Sequence, residues 1–235
     1  CSDTTLGTAD KELDLSGAHL SYGDFKDATF TGAGAIKLNG AGLANADLSG
    51  SKLTADGGFG NALIDLSEAD LTNADLSGAE LTAITTGNYG ASTIDFTKAT
   101  LANADISGSI LTANDLIDFS EADLTNADLS GSELTAITAG SYFSGSSTIN
   151  FTEATLANAD LSGSTLTADT ISGLPPLAPP PPPAAPPCTV EMLKLRPAGD
   201  KTWPIACSDT TLGTAYTELD LSGAHLSYGD FNDAT

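Results

Sequence analysis

The stretch EADLTNADLSGAELTA, residues 68–83, decides the fold of this 235-residue chain. Its leucines, Leu71, Leu76 and Leu81, recur every five positions, and a small residue such as Ala74 stands two positions before each of them. This period matches neither the 3.6 residues of a helical turn nor the two-residue alternation of a strand. It indicates a chain that turns a corner every five residues and points one large and one small side chain inward on each side.

The same period runs from Leu13 to Ile171, with the large apolar residues in groups of four. Four such sides would close one coil, and coils stack through backbone hydrogen bonds about 4.8 Å apart. Six groups predict six coils, and therefore a rod roughly 29 Å long. The large inward residues are Leu15, Leu20, Phe25, Phe30; Leu38, Leu43, Leu48, Leu53; Leu66, Leu71, Leu76, Leu81; Phe96, Leu101, Ile106, Leu111; Phe119, Leu124, Leu129, Leu134; and Phe151, Leu156, Leu161, Leu166.

Two further strings repeat the opening one, EADLTNADLSGSELTA (121–136) and ATLANADLSGSTLTA (154–168). Together they resemble the pentapeptide-repeat family, whose consensus is A-(D/N)-L-x-x. The resemblance covers roughly residues 13–171. It implies an all-β fold, a right-handed quadrilateral β-helix of about six coils. It implies little about activity, which is diverse in this family.

The chain departs from an uninterrupted pentapeptide pattern by insertions near residues 56–62, 84–92 and 137–147. These insertions are rich in Gly, Ser and Thr, so we expect loops that leave the same corner of successive coils. The longer ones carry aromatic side chains that we predict as candidate lateral interfaces, Tyr89, Tyr142 and Phe143.

A second, much longer repeat is also present. Residues 207–235 match residues 1–29 at 26 of 29 positions, which sets a period of 206 residues. We therefore expect the chain to be a little over one period of a tandem array. Tandem copies suit fibres, stalks and adhesins better than enzymes, because each added copy extends reach.

The period organises the cysteines. Cys1 and Cys207 occupy the same position one period apart, so each period holds two cysteines, Cys188 and Cys207. We predict a Cys188–Cys207 disulfide, with Cys1 paired to the preceding repeat's copy of Cys188; two free buried thiols are the alternative. Such a loop would stabilise by roughly 3 kcal/mol in the chain-entropy model. Disulfides favour an extracellular or cell-surface location.

Between the periodic region and these cysteines, residues 175–187 hold nine prolines in thirteen positions. They predict a stiff polyproline II spacer of about 40 Å. We thus expect a β-helix over 1–174, this linker over 175–187, a disulfide-closed loop or cap over 188–207, and the start of the next β-helix over 208–235.

The loop 188–207 is the one basic, amphipathic segment of the period. We predict that it caps the first coil of the next β-helix, whose strand edges need covering; a stapled linker is the alternative. Its candidate interface residues are Lys194, Arg196, Lys201 and Trp203.

The charge balance is strongly acidic, with 31 Asp and Glu against 8 Lys and Arg. A net charge of −23 argues against nucleic acid and anionic membranes as partners. No run of residues is long and apolar enough to predict membrane insertion.

Stacking would place equivalent residues of successive coils above one another. On the third side this predicts an Asn column, favoured by amide hydrogen bonds, and beside it an Asp column. Like charges about 4.8 Å apart repel by roughly 0.9 kcal/mol even in water, so the Asp column is a candidate cation ladder, with Ca²⁺ the best fit. Alternatively each Asp bonds the backbone of its own corner. The column is Asp24, Asp47, Asp75, Asp105, Asp128 and Asp160.

We find no catalytic pattern in the sequence. The two histidines, His19 and His225, are copies of one position, and no Ser–His–Asp arrangement, zinc spacing or phosphate loop accompanies them. We expect no enzyme, and no cofactor other than Ca²⁺.

The function that these features favour is a structural repeat unit of an extracellular filament or surface appendage, made of rigid acidic rods in tandem. Its partners would be adjacent repeats and other copies of the chain. A multivalent adhesin that binds cations, ice or mineral is the alternative, although Thr82, Thr112, Thr135 and Thr167 follow the fourth Leu, near the loops, so we expect no flat Thr face. The family resemblance adds a DNA-mimic module that binds topoisomerase, which the tandem period disfavours.

Overall fold

A computed structural model describes residues 3–86, 90–137 and 146–174. These ranges contain strands and turns only, as the five-residue period predicts. The strands are β1 (Thr5–Thr8), β2 (Leu13–Asp14), β3 (Thr29–Ala33), β4 (Ala35–Lys37), β5 (Lys52–Asp56), β6 (Ala62–Asp65), β7 (Glu80–Ile84), β8 (Ser92–Asp95), β9 (Ile110–Ala113), β10 (Leu116–Asp118), β11 (Glu133–Ala136), β12 (Thr148–Asn150), β13 (Thr165–Thr167) and β14 (Thr170–Ser172).

The strands form two parallel sheets, each with seven strands among the described residues. The odd sheet has the order β1-β3-β5-β7-β9-β11-β13, and the even sheet runs from β2 to β14 through the even-numbered strands. Two further sides are joined by single bridges, which stack His19, Gly42, Asp70, Thr100, Asp123 and Thr155 on one side and the predicted Asp column on the other. The predicted four-sided coil is therefore confirmed, with six complete coils from β2 to β13.

Three of the four corners are tight turns. At each, the fourth residue donates its N–H to the carbonyl of the first, as from Ala46 to Leu43 and from Ser51 to Leu48. The third residue has a positive φ, 59° at Asn45 and 63° at Gly50. This is a type II turn, which favours Gly or Asn at that position. The turn explains the Asn and Gly of each N-A-D-L-S-G string.

The fourth corner carries the insertions. It lies between an odd-sheet strand and the next even-sheet strand. The length of this connection varies from the single residue Gly34 to the segment 137–147. The predicted loops do leave one corner of the coil. Their aromatic residues Tyr89, Tyr142 and Phe143 lie outside the described residues.

The interior is a stack of apolar ladders, one large and one small residue on each side as predicted. Leu71, Ala74 and Leu76 are at most 2% exposed. The first side carries an aromatic ladder, in which Phe96 and Phe119 stack at 4.7 Å between ring centroids and Phe119 and Phe151 at 5.1 Å. Each coil thus buries its apolar groups against the coils above and below it.

The two ends of the ladders are less well covered. Leu6, Leu13, Leu15 and Leu20 at the N-terminal end, and Leu156, Leu161 and Leu166 at the C-terminal end, are only partly buried. Ile171 points inward from β14 in register with Ile149, yet 42% of it is exposed. No helix among the described residues is long and apolar enough to span a membrane.

Candidate functional site

The Asp column on the third side is assembled as the sequence predicts. Single bridges stack its six members in successive coils. Asp47 Oδ1 accepts hydrogen bonds from the backbone N–H and the hydroxyl of Ser49, at 2.9 and 2.6 Å, and Asp75 makes the same pair with Ser77. The other four members accept the N–H two residues ahead, at 2.8 to 3.2 Å. Every member of the column therefore closes its own turn.

At two members of the column, the turn bonds favour the charged form of the carboxylate. Hydrogen bonds from the side chain and backbone of Ser49 lower the pKa of Asp47 below its ordinary value of 3.8. Bonds from the backbone and side chain of Ser162 lower the pKa of Asp160 in the same way. The alternative that each Asp bonds its own corner is confirmed. Binding of Ca²⁺ by the column stays a prediction, and in the described ranges no three acidic, His or Cys side chains are placed to hold a metal ion.

A second acidic column follows the even sheet and was not predicted. In-register pairing stacks Asp65, Asp95 and Asp118 outward, and each accepts the N–H two residues ahead, at 2.8 to 3.0 Å. The column also includes Asp14 and Lys37, and the Lys37 ammonium lies 2.6 Å from Glu12. The sequence signal was a D-x-S or D-x-T string on the first side of four of the six coils, starting at Asp14, Asp65, Asp95 and Asp118.

The Asn column is confirmed. Asn73, Asn126 and Asn158 each donate a side-chain N–H to the Asn of the preceding coil, at 3.3, 3.1 and 3.0 Å. The same residues hold the positive φ of the second corner, between 55° and 57°. Asn thus serves the turn and the stack together, because it tolerates the left-handed conformation and offers both a donor and an acceptor.

A threonine column on the odd sheet corrects the expectation of no flat Thr face. The strands continue past the fourth Leu, so that Leu81 and Ala83 both point inward and Thr82 between them points outward. In-register pairing then aligns one Thr from each coil on a regular sheet: Thr31, Thr54, Thr82, Thr112, Thr135 and Thr167. Proximity to the loops in sequence did not displace these residues from the sheet.

The described residues offer little for catalysis. An open depression beside the 57–61 loop is lined mainly by glycine, alanine and threonine, and Asp56 is the one titratable residue in its lining. The residues of the predicted disulfide and cap lie outside the described residues. They are Cys1, Cys188, Cys207, Lys194, Arg196, Lys201 and Trp203. The columns are therefore the candidate functional surface of the described β-helix.

Comparison with known proteins identifies the repeat. A family model described as pentapeptide repeats matches residues 11–54, 64–83 and 117–137, in eight copies. It indicates no enzyme class. No curated protein sequence matches this chain.

Two solved structures illustrate what the chain is similar to. HetL, a pentapeptide-repeat protein involved in heterocyst differentiation regulation in the cyanobacterium Nostoc sp. strain PCC 7120, is 19% identical over 99% of this chain and 82% of its own, with a TM-score of 0.28. Full-length QnrB1, a plasmid-mediated fluoroquinolone resistance protein, is 17% identical over 69% of this chain and 91% of its own, with a TM-score of 0.15. Because both TM-scores are low, the family rests on the sequence model and the coil geometry alone. Residues 11–54, 64–83 and 117–137 of this β-helix are therefore pentapeptide repeats.

Proposed function

We propose that this chain is a structural repeat unit of an extracellular filament or surface appendage, in which acidic β-helical rods follow one another in tandem. The observation that carries the proposal is the 206-residue period, which restarts at Cys207 the sequence that begins at Cys1. A rod gains length with every added copy, whereas an enzyme does not need its catalytic site copied in tandem.

The described β-helix suits a mechanical role. Its interior ladders bury apolar side chains in every coil. On its surface, turn-bonded Asp residues line the first and third sides, Asn residues stack beside the Asp column of the third side, and Thr residues line the odd sheet. Ion pairs also join neighbouring coils, with Lys52 3.0 Å from Glu80 and Lys98 3.8 Å from Glu121. These exposed pairs add little stability individually, so the apolar ladders and backbone hydrogen bonds carry the rigidity.

A direct test is immunogold electron microscopy of the source cells with an antibody raised against residues 1–174. Labelling of fibres or surface layers on intact cells is the expected result. Label that appears only after permeabilisation would contradict the extracellular role. A pre-bleed serum on the same cells is the control for nonspecific labelling.

The Thr column supports a second candidate, a multivalent adhesin. Six hydroxyls spaced about 4.8 Å apart on a flat sheet could match a regular lattice such as ice or mineral. The discriminating assay is ice recrystallisation or mineral adsorption by the chain and by Thr112→Lys, with Thr100→Lys as a control on a different side. Equal behaviour of the two variants would exclude the column as the binding surface. Inhibition of topoisomerase is the corresponding test of the DNA-mimic alternative.

A further inference from the structure

The connections at the fourth corner alternate in length from β7 onward. Seven residues (85–91) join β7 to β8, and eleven (137–147) join β11 to β12. Two residues join β9 to β10 (114–115), and two join β13 to β14 (168–169). Each long connection is therefore followed, one coil further along the rod, by a short one.

The short corner after the 85–91 connection binds both of its ends. Asn114 Oδ1 accepts the N–H of Thr85, where the connection leaves the odd sheet, at 2.9 Å. Asp115 Oδ2 accepts the N–H of Ser92, where the chain enters the even sheet, at 2.8 Å. The Ser92 hydroxyl accepts the N–H of Asn114 at 2.7 Å and donates to the Ala83 carbonyl. Ser92 is fully buried and Thr85 is 7% exposed, so the short corner satisfies two buried N–H groups of the coil before it.

The later short corner repeats this bonding with a single residue. Asp169 Oδ2 accepts the N–H of Ser147 at 3.0 Å and its hydroxyl at 3.1 Å. The Ser147 hydroxyl also accepts the N–H of Asp169 at 3.0 Å, as the Ser92 hydroxyl does from Asn114. Ser147 is 2% exposed and lies at the end of the 137–147 connection. Each long connection thus re-enters the even sheet through a buried serine that an aspartate of the next coil holds.

We infer that the short corners are clamps that seat the long connection of the preceding coil. Asn114 and Asp115 hold both ends of the 85–91 connection. Asp169 holds the returning end of the 137–147 connection. The residues between the clamped ends can therefore change in length and sequence without disturbing the rod, and the fourth corner is a site for inserted segments in every second coil from β7 onward. This role goes beyond the proposed filament and does not depend on it.

The preceding coil holds the 85–91 connection from its other side. Asn61 Oδ1 accepts the N–H of Ala91 at 3.1 Å, and the Gly58 carbonyl accepts the N–H of Thr86 at 2.9 Å. The two ends of this connection are therefore fixed by both neighbouring coils, which leaves its middle as the part that can vary.

A corner that follows a single-residue connection is built differently. Asp56 follows an L-T-A string (53–55), as Asp169 does. The connection in the coil before Asp56 is Gly34 alone. The Asp56 carboxylate accepts the N–H of Gly58 in its own loop, at 2.9 Å. The aspartate after L-T-A thus binds the preceding coil where that coil has a long connection to hold.

Physical rules make the clamped corner the tolerant one. Lengthening a loop whose ends are held costs little, because the closure entropy grows only with the logarithm of loop length. The other three corners are type II turns, in which four residues set the geometry. At the third corner of one coil, the N–H of Ser109 donates to the Ile106 carbonyl at 3.2 Å, and Gly108 has a φ of 61°. An added residue there would break the bond that closes the turn.

Amide hydrogen exchange of the full chain, resolved by residue, tests the clamp. Asp115→Ala removes the acceptor of the Ser92 N–H and should speed exchange of that amide by about tenfold or more. Asp95→Ala is the matched control, because it removes a carboxylate from the same strand, β8, that accepts the N–H of Thr97 at 2.8 Å. It should speed exchange at Thr97 and leave Ser92 unchanged.

Two results of the exchange experiment would overturn the clamp. One is an unchanged exchange rate at Ser92 in folded Asp115→Ala. The other is equal acceleration of Ser92 and Thr97 in both variants, which would mean that each aspartate only stabilises the rod as a whole.

Insertions into the full chain test the tolerance of the corner and do not require Asp115→Ala to fold. About six Gly and Ser residues added after Thr86 would nearly double the connection and should lower the melting temperature by less than about 3 °C. The same insertion after Gly108 opens a type II turn and should lower the melting temperature at least about three times as far. Equal losses at the two corners would reject the fourth corner as a site for inserted segments. Neither experiment bears on the extracellular role, which is tested by the labelling of intact cells.

Discussion

The aromatic ladder on the first side offers the sharpest test of how the coils hold together. Phe119 is fully buried and stacks nearly parallel between Phe96 and Phe151, with interplanar angles of 5° and 3°. Phe119→Ala would leave a cavity at the centre of the ladder, and such truncations cost about 3–5 kcal/mol. We expect a loss of this size in the free energy of unfolding.

A matched variant separates stacking from cavity formation. Phe119→Leu introduces the residue that the same ladder holds at Leu38 and Leu66, so it should fill the site with little void. It would lose two ring contacts worth about 0.5–1.5 kcal/mol each, for a total of roughly 1–3 kcal/mol. The free energy of unfolding should therefore be highest for wild type, lower for Phe119→Leu and lowest for Phe119→Ala.

Urea denaturation followed by far-ultraviolet circular dichroism measures both variants. A double-mutant cycle with Phe151→Leu should return a coupling of about 0.5–1.5 kcal/mol. The stacking account is refuted if the coupling is zero, or if Phe119→Leu costs as much as Phe119→Ala.

Three further predictions concern the small and polar ladders. Ser109→Ala should leave the free energy of unfolding unchanged or raise it by about 1 kcal/mol, because the buried Ser109 hydroxyl has no hydrogen-bond partner. Ser132→Ala loses a 2.7 Å hydrogen bond to the Leu129 carbonyl and should lower the free energy of unfolding by about 1 kcal/mol in the same urea titration. Asn126→Ala should lower the free energy of unfolding by about 1–2 kcal/mol, because Ala disfavours the φ of 57° and cannot make the hydrogen bonds to the two neighbouring coils. Asn126→Gly should recover the part of this loss that comes from the backbone, and equal melting temperatures for the two variants would contradict this prediction. Because the folded-state pKa of Asp47 is lowered, the ionised carboxylate stabilises the fold above the ordinary pKa of 3.8, and this stabilisation is lost as the pH falls through the folded pKa. The stability advantage of wild type over Asp47→Asn should therefore shrink between about pH 7 and about pH 3. A stability advantage that does not change with pH would refute the turn-bonded charge.

The sequence predicted the parts of the fold that a strict period controls. A leucine every five residues with Ala two positions before it fixes which side chains point inward, and from that the columns follow by stacking. The Asp and Asn columns were predictable for this reason. Their turn chemistry was predictable only as an alternative, because the D-x-S spacing alone does not say whether a carboxylate faces its own backbone or a cation.

The Thr column was missed because the period of five hides a local period of two. In the string L-T-A, Leu81 and Ala83 point inward on one continuing strand, so Thr82 must point outward. The half-coil at β1 was missed for a different reason. Thr5–Thr8 holds one large apolar residue, Leu6, and a single residue has no period.

The most direct test of the proposed filament is cryo-electron microscopy of a chain of three periods under non-reducing conditions. The proposed function predicts rods of six coils, each roughly 29 Å long, that recur at one fixed axial spacing along a regular filament. Compact rods at variable spacing on a flexible string would contradict the filament.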